Sequence, residues 1–142
     1  MESSGYKLPI QIHKQSLKLS ENDLGIIPYM EGEVVHFEEE VKAFRAGERE
    51  DSEFMPFRLR QGIYGQRQPD RQMIRVKIPG GILTPEAIET LGAFVNKYVP
   101  LKKGHITTRE NMQLHHVSLE DAVDGMRLLG KAGLSTREAC GN

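Results

Sequence analysis

Gln72-Met73-Ile74-Arg75-Val76-Lys77-Ile78-Pro79-Gly80-Gly81-Ile82-Leu83-Thr84-Pro85-Glu86 is the stretch whose reading decides the fold. Its first seven residues alternate. Ile74, Val76 and Ile78 fall on one side, with Met73, Arg75 and Lys77 on the other, which is the period of a strand buried on one face only. Pro79, Gly80 and Gly81 end the strand. Thr84 followed by Pro85 is a helix start, an N-cap with proline at the first helical position. Ile88, Leu91, Val95 and Tyr98 then recur at helical spacing until Pro100.

Downstream, the same kind of unit repeats. His105 to Thr107 and Met112 to Val117 read as two short strands joined through Thr108, Arg109, Glu110 and Asn111, residues suited to a hairpin turn. Ser118 with Asp121 three residues on marks a second helix start, continued by Ala122, Met126 and Leu129 and closed at Gly130 and Gly133. Leu134 to Ala139 reads as a last strand. The order strand-helix-strand-strand-helix-strand predicts an α+β fold, a ferredoxin-like split βαβ half-domain (βαββαβ) with two helices over one sheet face.

Upstream the signals are weaker. Residues from Met1 to about Gly32, with Pro9 and Pro28, read as an extended arm. From Glu33, Val35, Phe37, Val41 and Phe44 among Glu38, Glu39 and Glu40 predict one helix ending near Gly47. Glu48 to Glu53 reads as a solvated connection, and Phe54, Pro56 and Phe57 as an anchor to the body. The division expected is 1–52 for arm and helix and 53–142 for the half-domain.

Bulk properties narrow the function. With 38% apolar and 27% charged residues among 142, the chain reads as a soluble globular protein, and nothing approaches the ~18 consecutive apolar residues of a membrane helix. No secretory signal pattern occupies the N-terminus. The single cysteine, Cys140, excludes an internal disulfide and any all-cysteine cluster held by this chain alone, and it fits a reducing cytoplasm. A net charge of -1 argues against bulk attraction to nucleic acid, and the strands lack the stacking aromatics of RNA-binding sheets.

If the helices cover Ile74, Val76 and Ile78, the other sheet face offers Arg75, Lys77, Gln113 and His115, with Arg109 at the hairpin tip and Arg67 and Arg71 before the first strand. Guanidinium and amide donors suit a small anion or a polycarboxylate. The plainer reading, ordinary solvated charge on an outer face, stands beside it. His115 and His116, adjacent in a strand, are expected on opposite faces and so unable to share one metal ion. The Pro79-Gly80-Gly81 turn reads as a strand-to-helix connection and Tyr64 as a packing aromatic. The residues alone thus give an anion-friendly face and no reaction.

Gly62-Ile63-Tyr64-Gly65-Gln66-Arg67-Gln68, Met73 to Gly81, Leu83-Thr84-Pro85-Glu86, Thr107 to His115 and Gly133 to Asn142 resemble, in order and spacing, the ferredoxin-like half-domain of sirohaem-dependent nitrite and sulfite reductases. The resemblance covers about Phe57 to Asn142. It implies a six-electron reduction of nitrite to ammonia or of sulfite to sulfide. The implied cofactors are a sirohaem and a 4Fe–4S cluster bridged through a cysteine thiolate, with ferredoxin or a flavoprotein as electron donor. It implies that Arg75 faces the substrate. Arg109, Gln113 and Thr107 would hold the sirohaem carboxylates with Lys77 in support, and Tyr64, Gln66 and Arg67 would pass near the macrocycle. His105 stands where some relatives have another basic residue. The cluster cysteines, a further substrate arginine, the active-site lysines and the twin half-domain of such reductases are not in this sequence. A C-terminally truncated piece with a genuine start at Met1, inactive by itself and completed by the missing C-terminal half, is therefore expected. The alternative is a non-catalytic half-domain that binds an anion or a tetrapyrrole without an iron–sulfur site.

Overall fold

The structure, a computed structural model, describes residues 27–139. The arm expected over Met1 to Gly32 falls largely on residues 1–26, and these, with Cys140 to Asn142, lie outside the described residues. In chain order the elements are α1 (Glu31–Arg45), α2 (Asp51–Arg60), β1 (Ile63–Gly65), β2 (Gln72–Val76), a 3-10 turn (Pro79–Gly81), α3 (Pro85–Tyr98), β3 (His105–Ile106), β4 (Met112–Val117) and α4 (Leu119–Lys131).

The four strands form one antiparallel sheet in the order β1-β2-β4-β3. Alternation along β2 is as the sequence predicts: Ile74, Val76 and Ile78 are buried, while Met73, Arg75 and Lys77 are half-buried on the other side. Opposite Ile74 lie Ile63 on β1 and Leu114 on β4, both fully buried. These residues meet α3 and α4 through Ala87, Leu91, Phe94, Leu119, Ala122, Val123 and Leu129 in one core cluster. Burying a side chain of this kind contributes about 1.5–3 kcal/mol, so the helix-covered face holds most of the fold's driving force.

Both sheet-covering helices start where the sequence places them. Thr84 Oγ1 accepts from Ala87 N at 3.1 Å with Pro85 at the first position, and Ser118 Oγ accepts from Asp121 N at 3.1 Å. Gly125 lets α4 approach α3, because a Cβ there would penetrate the Phe94 ring. The stripe of α3 differs from the expected one: Ala87, Leu91, Phe94 and Tyr98 are buried, whereas Ile88 is 56% exposed. Phe94, at the third residue after Leu91, fixes the rotation, and its bulk outweighs Ile88 in choosing the face.

Three further expectations are corrected. In α1 the inward valine is Val34, not Val35, since Val34, Phe37 and Val41 share one face. Residues expected as a connection and anchor form α2, which opens on a reciprocal Glu50–Glu53 capping box and tolerates Pro56 on its exposed side. Leu134 to Ala139 contributes only an antiparallel bridge, Ser135 to Lys77, before turning away. The rest of that edge of β2 is taken by β1, a strand the sequence reading left out. The two pieces meet at Gly62 (φ 76°), where a Cβ would collide with the Thr136 carbonyl. The topology is still the α+β, ferredoxin-like one, with its edge position shared between β1 and Ser135.

Helices α1 and α2 join the same core through Phe37, Phe54 and Phe57, whose rings pack within 6.4 Å of one another. Arg127 on α4 reaches Glu38 at 2.7 Å and Glu31 at 3.4 Å on α1. Such exposed pairs contribute about 0–1 kcal/mol, so the apolar contacts dominate.

Candidate functional site

The face of the sheet away from the helices is built in rows by the register. Arg75 on β2 lies opposite Gln113 on β4, and Gln113 opposite His105 on β3. In the neighbouring row Tyr64 on β1 lies opposite Met73. Lys77 shares the strand parity of Arg75 and closes the face beside Ser135. Thus Arg75, Lys77 and Gln113 are brought together as the sequence anticipated, with Tyr64 one row away.

The remaining residues lie at the two ends of this face. Thr107 and Arg109 belong to the β3–β4 turn, at the Val76 end of β2. Thr107 Oγ1 accepts from the backbone N–H of Arg109 and of Asn111, both at 3.2 Å, which shapes the tip and leaves its O–H able to donate outward. Gln66 and Arg67 belong to the β1–β2 turn at the Gln72 end, where Gln66 N donates to Arg71 O at 2.9 Å and Arg67 is exposed. Five strand residues separate the two ends, about 15 Å at the usual rise. One ligand that touches both must be extended, which a bare nitrite or sulfite ion is not.

The centre of the face carries an irregularity that strand alternation did not anticipate. Between Gln72↔Val117 and Ile74↔Leu114 the register skips, so both His115 and His116 oppose the single residue Met73. Leu114 and Val117 are both fully buried in the core, and the two histidines between them therefore both stay out of it. This corrects the expectation that they take opposite faces. His116 carries φ 62°, a left-handed backbone that costs a non-glycine residue roughly 1–2 kcal/mol. The signal was present in the sequence: apolar residues at 112, 114 and 117 break the two-residue period.

His115 now stands among like neighbours, its ring centroid 5.1 Å from His105 and 6.3 Å from His116. Burial, reinforced by those two rings, pushes its pKa below the ordinary imidazole value, so it is neutral at pH 7. Among the described residues no group of three or more His, Cys, Asp or Glu side chains is placed to hold a metal ion. Two buried side-chain atoms on this face lack hydrogen-bond partners, Arg75 Nε and His115 Nδ1. A buried donor left in that state costs about 1–3 kcal/mol, and an acceptor-rich ligand laid on the face would recover it. The donors present therefore fit a polycarboxylate.

Two residues that sequence reasoning gave no such role support the site. Asn111 Oδ1 accepts from Ile78 N and its Nδ2 donates to Ala139 O, both at 2.9 Å, so it ties the hairpin to the end of β2 and to the C-terminal segment. Gln66 holds His116, its Oε1 accepting from His116 N at 2.6 Å and its Nε2 lying 3.4 Å from His116 Nδ1.

Comparison with known proteins agrees with the fold. Residues 64–132 match the family model described as the nitrite/sulfite reductase ferredoxin-like half domain. The chain is 42% identical over 64 residues to the ferredoxin–nitrite reductase of Leptolyngbya laminosa, covering 45% of this chain and 12% of that one. It is 36% identical over 70 residues to the sulfite reductase (NADPH) hemoprotein beta-component 1 of Pectobacterium carotovorum subsp. carotovorum, covering 49% and 12%. Among solved structures, the NirA protein of Mycobacterium tuberculosis superposes with a TM-score of 0.53 at 29% identity, covering 58% of this chain and 18% of that one. The matched stretch is thus a small part of each relative.

Proposed function

We propose that this chain, whose residues 64–132 match the nitrite/sulfite reductase ferredoxin-like half domain, supplies the substrate- and sirohaem-facing surface of a cytoplasmic oxidoreductase that reduces nitrite to ammonia or sulfite to sulfide. The observation that carries the reading is the buried, unpartnered Nε of Arg75 at the centre of a donor-rich sheet face. Sirohaem and a 4Fe–4S cluster would relay the donor's electrons and supply the iron that binds substrate. The cluster's cysteines come from outside this sequence, which has only Cys140.

On this proposal each residue acts by charge and hydrogen bonding. Arg75 offsets the negative charge of the bound oxyanion through its guanidinium. Lys77 and Gln113, beside it on the sheet, donate to carboxylates of the macrocycle, and so do Thr107 and Arg109 from the hairpin turn. Tyr64 and Arg67 approach from the opposite end, and Gln66 contributes through its hold on His116. Contacts at both ends of a roughly 15 Å face favour an extended ligand over a free oxyanion. Electrons come from a ferredoxin or a flavoprotein, and the remaining part of the enzyme completes the site.

The test is an absorbance titration of the purified 142-residue chain with sirohaem. Saturable binding that weakens with added salt and in Arg109→Ala is expected. Binding no tighter than to a net-charge-matched control protein sinks the proposal. In a longer reductase that carries this half-domain, Arg75→Ala lowers turnover at unchanged sirohaem content, whereas Arg109→Ala lowers sirohaem content first. Sirohaem binding by this chain with no turnover in any such assembly would favour the non-catalytic tetrapyrrole-binding alternative.

A further inference from the structure

The geometry points to Gln66 as a positioning residue, whose side chain locks the bulge at His115–His116 and thereby keeps the His115 imidazole on the open sheet face beside Arg75. Four observations carry this. The backbone N–H of His116 finds its acceptor on the Gln66 side chain, at 2.6 Å. The same amide's nitrogen lies 3.4 Å from His116 Nδ1, so one side chain grips both the backbone and the ring. His116 has a left-handed backbone, a conformation that persists in a non-glycine residue only where its surroundings enforce it. The bulge is what keeps His115 and His116 both outside the core, since Leu114 and Val117 flank them as core residues.

Gln66 is itself fixed from below. Its backbone N–H donates to Arg71 O at 2.9 Å, closing the β1–β2 turn, and its Nε2 also reaches Gln68 Oε1 at 3.2 Å. A residue whose amide is committed in this way acts on a ligand through the histidines rather than by touching it. Without the clamp, regular alternation would send one of the two imidazoles towards the apolar core, and the strand would slip or fray there. The conformation of the clamp stands on the geometry alone. Its consequence for sirohaem rests on the function proposed above.

NMR on the full 142-residue chain without cofactor separates the two. In Gln66→Ala, protection of the His116 amide from hydrogen exchange should fall about tenfold, and the His115 titration midpoint should move up towards that of an exposed imidazole. Gln66→Glu keeps the acceptor oxygen and should retain the amide protection. The double variant Gln66→Ala/His116→Gly, in which glycine adopts the left-handed backbone without help, should move the His115 midpoint back down from that of the single variant, stopping short of wild type because the His116 ring is gone. A simple packing role for Gln66 would show no such rescue. Unchanged His116 protection and His115 titration in Gln66→Ala overturn the proposal, as does a double variant that behaves like the single one. If these readouts behave as expected and the wild-type chain still fails to bind sirohaem, the clamp stands and the functional reading falls.

Discussion

The two faces of the sheet obey different rules. On the helix side, Ile63, Ile74, Val76 and Leu114 are fully buried, and the large side chains of α3 and α4 complete the core around them. Where a polar pair intrudes at its edge it is paired, Arg58 Nη1 donating to Gln72 Oε1 at 2.8 Å. On the opposite side the strands present Arg75, Lys77, Gln113 and three histidines, with two buried polar atoms unpartnered and one residue in strained backbone. The difference teaches where the free energy of this small domain resides. One face contributes stability by excluding water, while the other keeps costly groups in place that only a ligand would compensate.

Variants on either face can break or sharpen that contrast. Phe94→Ala should cost the most. The ring is wholly buried against Gly125 and edge-on to Tyr98, and its loss is expected to destabilise by about 3–5 kcal/mol in denaturant unfolding. A cost below about 1 kcal/mol would mean the helix face is not the source of stability. Asn111→Ala should follow, at about 1–3 kcal/mol, because it strips partners from Ile78 N and Ala139 O at once. A loss in that range would show that the hairpin between the faces is held by polar staples rather than by packing.

The open face predicts a pH signature. Burial lowers the pKa of His115, so the unfolded chain binds more protons than the folded one just below the ordinary imidazole value, about 6.5. Its contribution is complete above that pH and declines as the pH falls towards the lowered folded value. His115→Gln should flatten the stability profile over that window, and an unaltered profile would remove His115 as a source. The smallest loss of stability belongs to Arg75→Met, expected to be as stable as the parent or up to about 1–3 kcal/mol more stable, since it removes a buried unpartnered Nε while keeping the apolar stem. The same variant should weaken binding of the substrate oxyanion while leaving sirohaem binding unchanged. A large loss of stability would show that Arg75 is structural.

Much of the fold was legible. The period of Gln72 to Ile78, the caps at Thr84 and Ser118 and the turn after Ile106 are local signals, written in side-chain chemistry within a few residues. Other features were not. Strand β1 is three residues long and exists because β2 offers it an edge. The segment from Leu134 has strand-like residues, yet most of the edge it would need is already occupied, so it makes a single bridge. Ile88 looked as apolar as its neighbours, and only the rotation that buries Phe94 left it outside. For the candidate site, residue types and parity were enough to gather Arg75, Lys77 and Gln113, but not to foresee how Gln66 and His116 meet across fifty residues of chain.

By itself, then, the sequence determined the order of elements from β2 to α4, the one-sided character of β2 and the concentration of cationic and amide donors opposite the core. All of these follow from periodicity and from each side chain's own chemistry. Only the tertiary structure decided that β1 and Ser135 share one edge, that Thr107 with Arg109 and Gln66 with Arg67 lie at opposite ends of the open face, and that both histidines emerge on it. Those outcomes depend on register and on contacts between residues distant in sequence. A one-residue change of register reverses which face a side chain takes, and although the apolar residues at 112, 114 and 117 mark a break in the period of β4, they do not say which residue of which strand it pairs with.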